Sequence, residues 1–133
     1  MKITADTNFL ISATQWDNSV SHKILIKLIK ADAKIFITKE ILEEFSEVLQ
    51  RDFKFNEKEI NKIIEKVLGF AVIFETKSKF DVVKEDPDDN KVLECAFDSG
   101  SEYIISYDTH LLKIKEFRNI KIIKPEELFQ ILS

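Results

Sequence analysis

The feature that most constrains this chain is its alternation of short β-prone runs with longer stretches of helical period. "KITADT" (2–7), "KIFIT" (34–38), "FAVIFE" (70–75), "EYIIS" (102–106) and "NIKIIK" (119–124) read as strands. "VSHKILIKLIKA" (20–31) and "KEILEEFSEVLQRD" (39–52) read as helices, as does "EKEINKIIEKVLG" (57–69), whose stripe of Ile60, Ile63, Ile64, Val67 and Leu68 is closed by Gly69. A short helix is predicted from Asn8, and others over 88–99, 109–116 and 126–132. Such alternation predicts an α/β fold, a parallel sheet with helices on both faces. Ligands then bind beyond the carboxyl ends of the strands, where strand order reverses. With 133 residues, two glycines, two prolines and no linker or repeat, a single domain over 1–133 is expected.

Composition removes several function classes. An apolar share of 44% and a charged share of 33% describe a globular chain. No apolar run approaches the roughly 20 residues of a spanning helix, and the N-terminus lacks a signal peptide's apolar stretch. No membrane association is expected. The lone Cys95 permits no internal disulfide, which suits a reducing, cytoplasmic setting. The net charge of −4 argues against a module that binds nucleic acid through charge alone. It argues less against a metal-dependent nuclease, whose bound ions would offset the charge where phosphate must sit.

The acids then sort by position. Asp6 closes the first strand, and Asp108 falls just past "YIIS". In the helix over 39–52, Glu40, Glu43 and Glu47 project away from the stripe of Ile41, Leu42, Phe45, Val48 and Leu49. Glu44 lies on its border, where a solvated rim glutamate is the competing reading. The stretch "EDPDDN" (85–90) precedes an apolar face of Val92, Leu93, Ala96 and Phe97. Asp89 projects onto that face, and Asp88 to its side. A lone carboxylate aimed at a core needs a partner, a helix N–H or a metal. Capping competes here too, although Asp86 or Asp88 could cap in its place. Asp6, Glu44, Asp89 and Asp108 are thus predicted to converge, a set of hard oxygen donors suited to Mg²⁺ or Mn²⁺. Unpaired, they would repel one another; a divalent ion relieves that and can activate water against a phosphodiester.

At these residues the chain resembles the PIN-domain family, metal-dependent ribonucleases that include VapC-type toxins. "ADTNFLISA" resembles the family's opening strand and turn, "ITKEILEEFSEVLQR" the segment bearing its glutamate, and "DPDDNKVLECAFDSGSEYIISYDTHLL" its third and fourth acids. The closing "FRNIKIIKPEELFQIL" also fits, so the resemblance spans essentially the whole chain. It implies a three-layer α/β/α sandwich with a parallel sheet of about five strands. It assigns the catalytic and metal-binding acids to Asp6, Glu44, Asp89 and Asp108. Asn8, Ser106 and Asp86 are secondary candidates, with Thr7 beside the first acid. It implies a single-stranded RNA substrate, products with 5′-phosphate and 3′-hydroxyl ends, and an antitoxin protein as partner, and it leaves a homodimer open. One departure stands out: where members often carry another acid, two residues after the fourth, this chain has His110. His110 reads otherwise as a surface helix residue, and His22 as structural.

Rival readings are weaker. An EF-hand loop in "DPDDNKVLECAF" would need Gly and Glu where Lys91 and Phe97 stand. A haloacid-dehalogenase-like phosphatase would need a second Asp where Asn8 stands. A response-regulator receiver lacks its phospho-acceptor strand. A non-catalytic PIN module that only binds a protein partner stays open, though all four acids are present.

Overall fold

A computed structural model of the chain describes residues 1–132. Its elements, in order, are β1 (Lys2–Ala5), α1 (Thr7–Gln15), α2 (Val20–Lys30), β2 (Lys34–Ile37), α3 (Lys39–Phe53), α4 (Glu57–Leu68) and β3 (Ala71–Ile73). A 3₁₀ turn (Pro87–Asp89) then leads into α5 (Asn90–Ser99), β4 (Tyr103–Ile105), α6 (Thr109–Leu112), β5 (Glu116–Phe117), β6 (Ile120–Ile123) and α7 (Pro125–Leu132). The sheet order is β3-β2-β1-β4-β6-β5, parallel throughout except for the β5–β6 pair.

The central strands are almost wholly buried. β1 and β2 expose only their first residue, as central strands covered on both faces must. Direction follows from handedness. From β1 to β2 to β3 the chain steps one way across the sheet, so right-handed crossovers carry α1 to α4 over one face. The return from β3 to β4 reverses the step and places α5 on the other, against β1, β2 and β4. The reversal falls between β1 and β4, whose register pairs Ala5 with Ile105. The residues that follow, Asp6 and Ser106, therefore leave the sheet side by side. Phe9, Leu10, Leu28, Phe45, Leu49 and Leu93 fill the core around these strands with no exposed surface.

Each helix on the first face begins on a polar cap. Ser19 accepts from His22 N, and Thr38 from Ile41 N. Asn56 and Glu59 form a reciprocal capping box. His22 Nδ1 lies 2.9 Å from the Ala13 carbonyl oxygen, joining α2 to α1.

The structure corrects three local expectations. The helix predicted over 109–116 stops at Leu112, and the chain turns through left-handed Lys115 into β5. β5 is a sixth, antiparallel edge strand, joined to β6 by Arg118 and Asn119, both at positive φ as a two-residue hairpin turn requires. The strand predicted over 70–75 pairs only through Ile73, followed by one further bond from Phe74 N to Ile37 O. Gly69 ends α4 at φ −74, so its conformational freedom is not used there. Gly100, at φ +72, is the left-handed helix end, with Ser101 N reaching back to Ala96 O at 2.9 Å.

Candidate active site

A cavity of about 310 Å³ opens where β1 and β4 end. Asp6, Asp86, Asp88, Asp89 and Asp108 line it with Glu40, Glu43, Glu44 and Glu47; Lys91 is the one basic residue among its lining side chains. Lys91 is itself 3.9 Å from Glu40. The cavity is therefore strongly negative, a cost to the fold unless a cation or protons occupy it.

Two of the acids double as helix caps. Asp6 is 6% exposed; its Oδ1 accepts from Phe9 N at 2.9 Å, and its Oδ2 accepts from the Ser106 hydroxyl. Asp108 caps α6, with Oδ1 accepting from His110 N at 2.8 Å and Leu111 N at 3.3 Å. Ser106 ties the two together, since its fully buried oxygen also accepts from Asp108 N at 2.8 Å. Burial pushes the Asp6 carboxyl up to about 6, against the pull of its Ser106 and Phe9 bonds, and the charges of Asp108 and Glu44 push the same way.

Asp89 behaves differently. It occupies the N-cap position of α5 without making a cap hydrogen bond, and Asp86 at the start of the 3₁₀ turn makes none either. Capping, the competing reading for this stretch, is not what these side chains do. Asp89 Oδ2 is buried with no hydrogen-bond partner. Burial first, and then the charges of Asp108 and Asp86, raise its pKa to about 8. Asp86, Asp89, Asp108 and His110 each offer a ligand atom, all within 4.8 Å of one another.

Asp6 and Glu44 stand outside that tight group, though both line the same cavity. Glu44 is an exposed residue at the cavity's side, with Thr7 lining the same cavity. Desolvation nevertheless raises its pKa, with Asp88 and Asp86 contributing. Asn8 is exposed at the mouth. The four acids singled out from the sequence thus line one cavity, though the geometry groups them differently. Asp86 and His110 join the closest group, and the visible signal for His110 was its place two residues after Asp108.

Residues 2–110 match the PIN domain family. The chain belongs to that family. Among curated proteins, a PIN-domain chain of this kind is similar to "Uncharacterized protein MJ1680" of Methanocaldococcus jannaschii, 29% identical over 120 residues, which cover 87% of this chain and 76% of that one. Among solved structures, this PIN domain is similar to VapBC2 from Rickettsia felis, bound to a DNA fragment from its promoter. The TM-score is 0.68 at 16% identity, covering 93% of this chain and 98% of the other. PAE2754 from Pyrobaculum aerophilum is similar too, with a TM-score of 0.63 at 16% identity, covering 99% and 95%. At such identities the likeness is one of fold: a mostly parallel sheet flanked by helices. No helix among the described residues is long and apolar enough to cross a membrane.

Proposed function

We propose that this PIN domain is a metal-dependent endoribonuclease that hydrolyses phosphodiester bonds of single-stranded RNA. The observation that carries the reading is a cavity at the strand switch lined by Asp6, Asp86, Asp89 and Asp108, in which a buried Asp89 oxygen has no partner. Among the described residues none of the four is paired with lysine or arginine. Hard carboxylate oxygens with one imidazole nitrogen fit Mg²⁺ or Mn²⁺. Asp6, Asp89 and Asp108, joined by Asp86 and His110 and with Glu44 alongside, would hold such an ion. When bound it supplies Lewis-acid polarisation of a phosphoryl oxygen and a more acidic water.

The chain's own groups do the rest. Ser106 holds Asp6 and Asp108 in a fixed relation, so neither carboxylate must reorganise as charge develops. Glu44, at the cavity's side and raised above its ordinary range by desolvation, takes a proton from the attacking water. In-line displacement then breaks the bond to the 3′ oxygen, which takes up a proton from solvent, leaving a 5′-phosphate and a 3′-hydroxyl. The phosphatase alternative is disfavoured because Asn8, not an acid, follows Asp6 by two residues.

A protein antitoxin is proposed as partner. The fold likeness to the Rickettsia felis VapBC2 structure supports it, as does Trp16, which is 53% exposed against Phe53 at a ring distance of 5.8 Å. Light scattering of the purified chain would decide whether it forms a homodimer. The test of the activity is incubation of single-stranded RNA, and separately of a phosphomonoester, with Mn²⁺ or with EDTA. RNA is cut only with metal and the monoester is left intact; Asp108→Ala loses cleavage by more than about 100-fold while keeping its fold. Monoester turnover that depends on Asp6 would favour the phosphatase, and two uncut substrates would favour the partner-binding module.

His110 sets a further expectation. A nitrogen donor suits Mn²⁺ better than Mg²⁺, so His110→Asp should bind Mg²⁺ more nearly as well as Mn²⁺. Calorimetric titration with each metal reads the ratio directly. An unchanged ratio would return His110 to the role of a surface helix residue.

A further inference from the structure

Between β3 and the 3₁₀ turn, residues 74–86 form no helix or strand, yet they are tightly held. Asp98 accepts from Lys77 N at 2.7 Å, Ser78 N at 2.8 Å and the Ser78 hydroxyl at 2.6 Å. Glu94, itself 5% exposed, accepts from Phe80 N at 2.9 Å. Asn90 Oδ1 accepts from Val82 N at 2.8 Å and Val83 N at 2.9 Å, while Nδ2 donates to Val83 O at 3.0 Å and Pro87 O at 3.1 Å. Asn90, Glu94 and Asp98 stand at i, i+4 and i+8, one polar stripe along α5.

The spacing explains why the three fit one strap. Four helical residues rise about 6 Å, and two residues of extended chain span about 6.6 Å. Successive rungs on the helix therefore meet residues 78, 80 and 82, running antiparallel to α5. From the side, Phe80 packs edge-on against Phe97 and Phe117, with the Arg118 guanidinium 4.7 Å from its ring centre. Val83 is buried at the near end. Three residues later Asp86 enters the cavity, and Asp89 N donates back to Asp86 O at 3.0 Å.

We propose that this stripe is a positioning device for the metal site: Asn90, Glu94 and Asp98 fix the register of the 77–86 strap on α5, and thereby set where Asp86 lies against Asp89 and Asp108 and how tightly the cluster holds a divalent cation. The inference rests on the metal-dependent reading above. A slip of one residue takes Phe80 N off Glu94, the middle rung, and moves the strap by about 3.3 Å along α5. A slip of two displaces Asp86 by about 6.6 Å, more than the 4.8 Å within which the ligand atoms now lie. In the observed register Asp86 lies within the group. Glu94 is the informative rung, because it is a full turn from Asp89 and does not line the cavity.

The experiment is Mn²⁺ titration calorimetry on the full chain, with hydrogen exchange at the strap amides, for the wild type, Glu94→Ala, Glu94→Gln and Asp89→Asn. Glu94→Ala should speed exchange at Phe80 and weaken Mn²⁺ binding about tenfold, as loss of a group that orients a ligand does. Glu94→Gln keeps an acceptor and should restore most of the affinity. Asp98→Ala, at the more exposed end of the stripe, gives the same comparison if Glu94→Ala fails to fold. Faster exchange at Phe80 with undiminished Mn²⁺ affinity overturns the positioning role alone, leaving a purely structural strap. A wild type that binds no Mn²⁺, or an Asp89→Asn variant that binds it equally well, overturns the metal site and this inference with it.

Discussion

Asp89→Asn should melt at a higher temperature than the wild type in EDTA, and should lose most of the stabilisation that Mn²⁺ confers. The reason is the environment of one oxygen. Asp89 Oδ2 is buried without a partner, and the carboxyl is raised to about 8 by burial and by the charges of Asp108 and Asp86. At neutral pH the metal-free protein must either protonate this group or hold its charge beside two others. An amide removes that conflict without changing shape, a gain of about 1–2 kcal/mol once solvent screening at the half-open cavity is allowed for. The same amide is a poor ligand for a hard cation. An ion present at about 100 times its dissociation constant adds roughly 2.7 kcal/mol to the stability of a protein that holds it; the variant should forfeit most of this. Opposite shifts in EDTA and in Mn²⁺ are the signature, read by two melting curves. A variant less stable in EDTA, with its metal response intact, would mean that Asp89 supports the start of α5 and does not face a cation.

How much of this was legible in the sequence depends on what decides each element. The central strands and long helices are fixed by local periodicity, so β1, β2, β4, β6, α2, α3 and α4 lie close to where the pattern puts them. β5 was not legible: two residues long, it exists through pairing with β6 and through Arg118 and Asn119 at positive φ, neither of them the glycine that would signal such a turn. The path of residues 77–83 was hidden for a related reason. It is set by Asn90, Glu94 and Asp98 reaching across from α5, and nothing within the segment itself encodes it.

For the site, periodicity brought Glu44 and Asp89 to the same cavity as the strand-end acids. It mishandled the capping question by treating cap and site as exclusive. Asp6 and Asp108 each cap a helix with one oxygen while lining the cavity, and Asp89, the suspected cap, caps nothing. A carboxylate has two oxygens, and a strand that ends at a helix start can employ both.

The pH dependence of the metal-free protein should run opposite to that of most acidic chains. Asp6 titrates at about 6 in the folded state, against 3.8 when unperturbed, and Asp89 is raised further. Below about pH 4 both groups are protonated whether the chain is folded or not, and their contribution to stability is fully present. Above that, the unfolded chain releases these protons while the folded chain retains them, so unfolding becomes easier. The contribution is lost as pH rises through 6 for Asp6, and through about 8 for Asp89. Asp6 alone accounts for about 3 kcal/mol between pH 4 and 7, on the order of 10 °C for a domain of this size. Asp98, whose pKa is lowered by its bonds to Ser78 and Lys77 against the opposing pull of burial, works the other way, but its window lies below pH 4. Chemical denaturation in EDTA at intervals from pH 5 to 8 should therefore show a steady fall, shallower in Asp6→Asn, where the Asp89 contribution remains. With Mn²⁺ the trend reverses, because ligands that have lost their protons bind metal more tightly as pH rises. A wild type equally stable across this range in EDTA would mean that the acids at the strand switch are already relieved by contacts within the chain, and the case for a cation among them would fall.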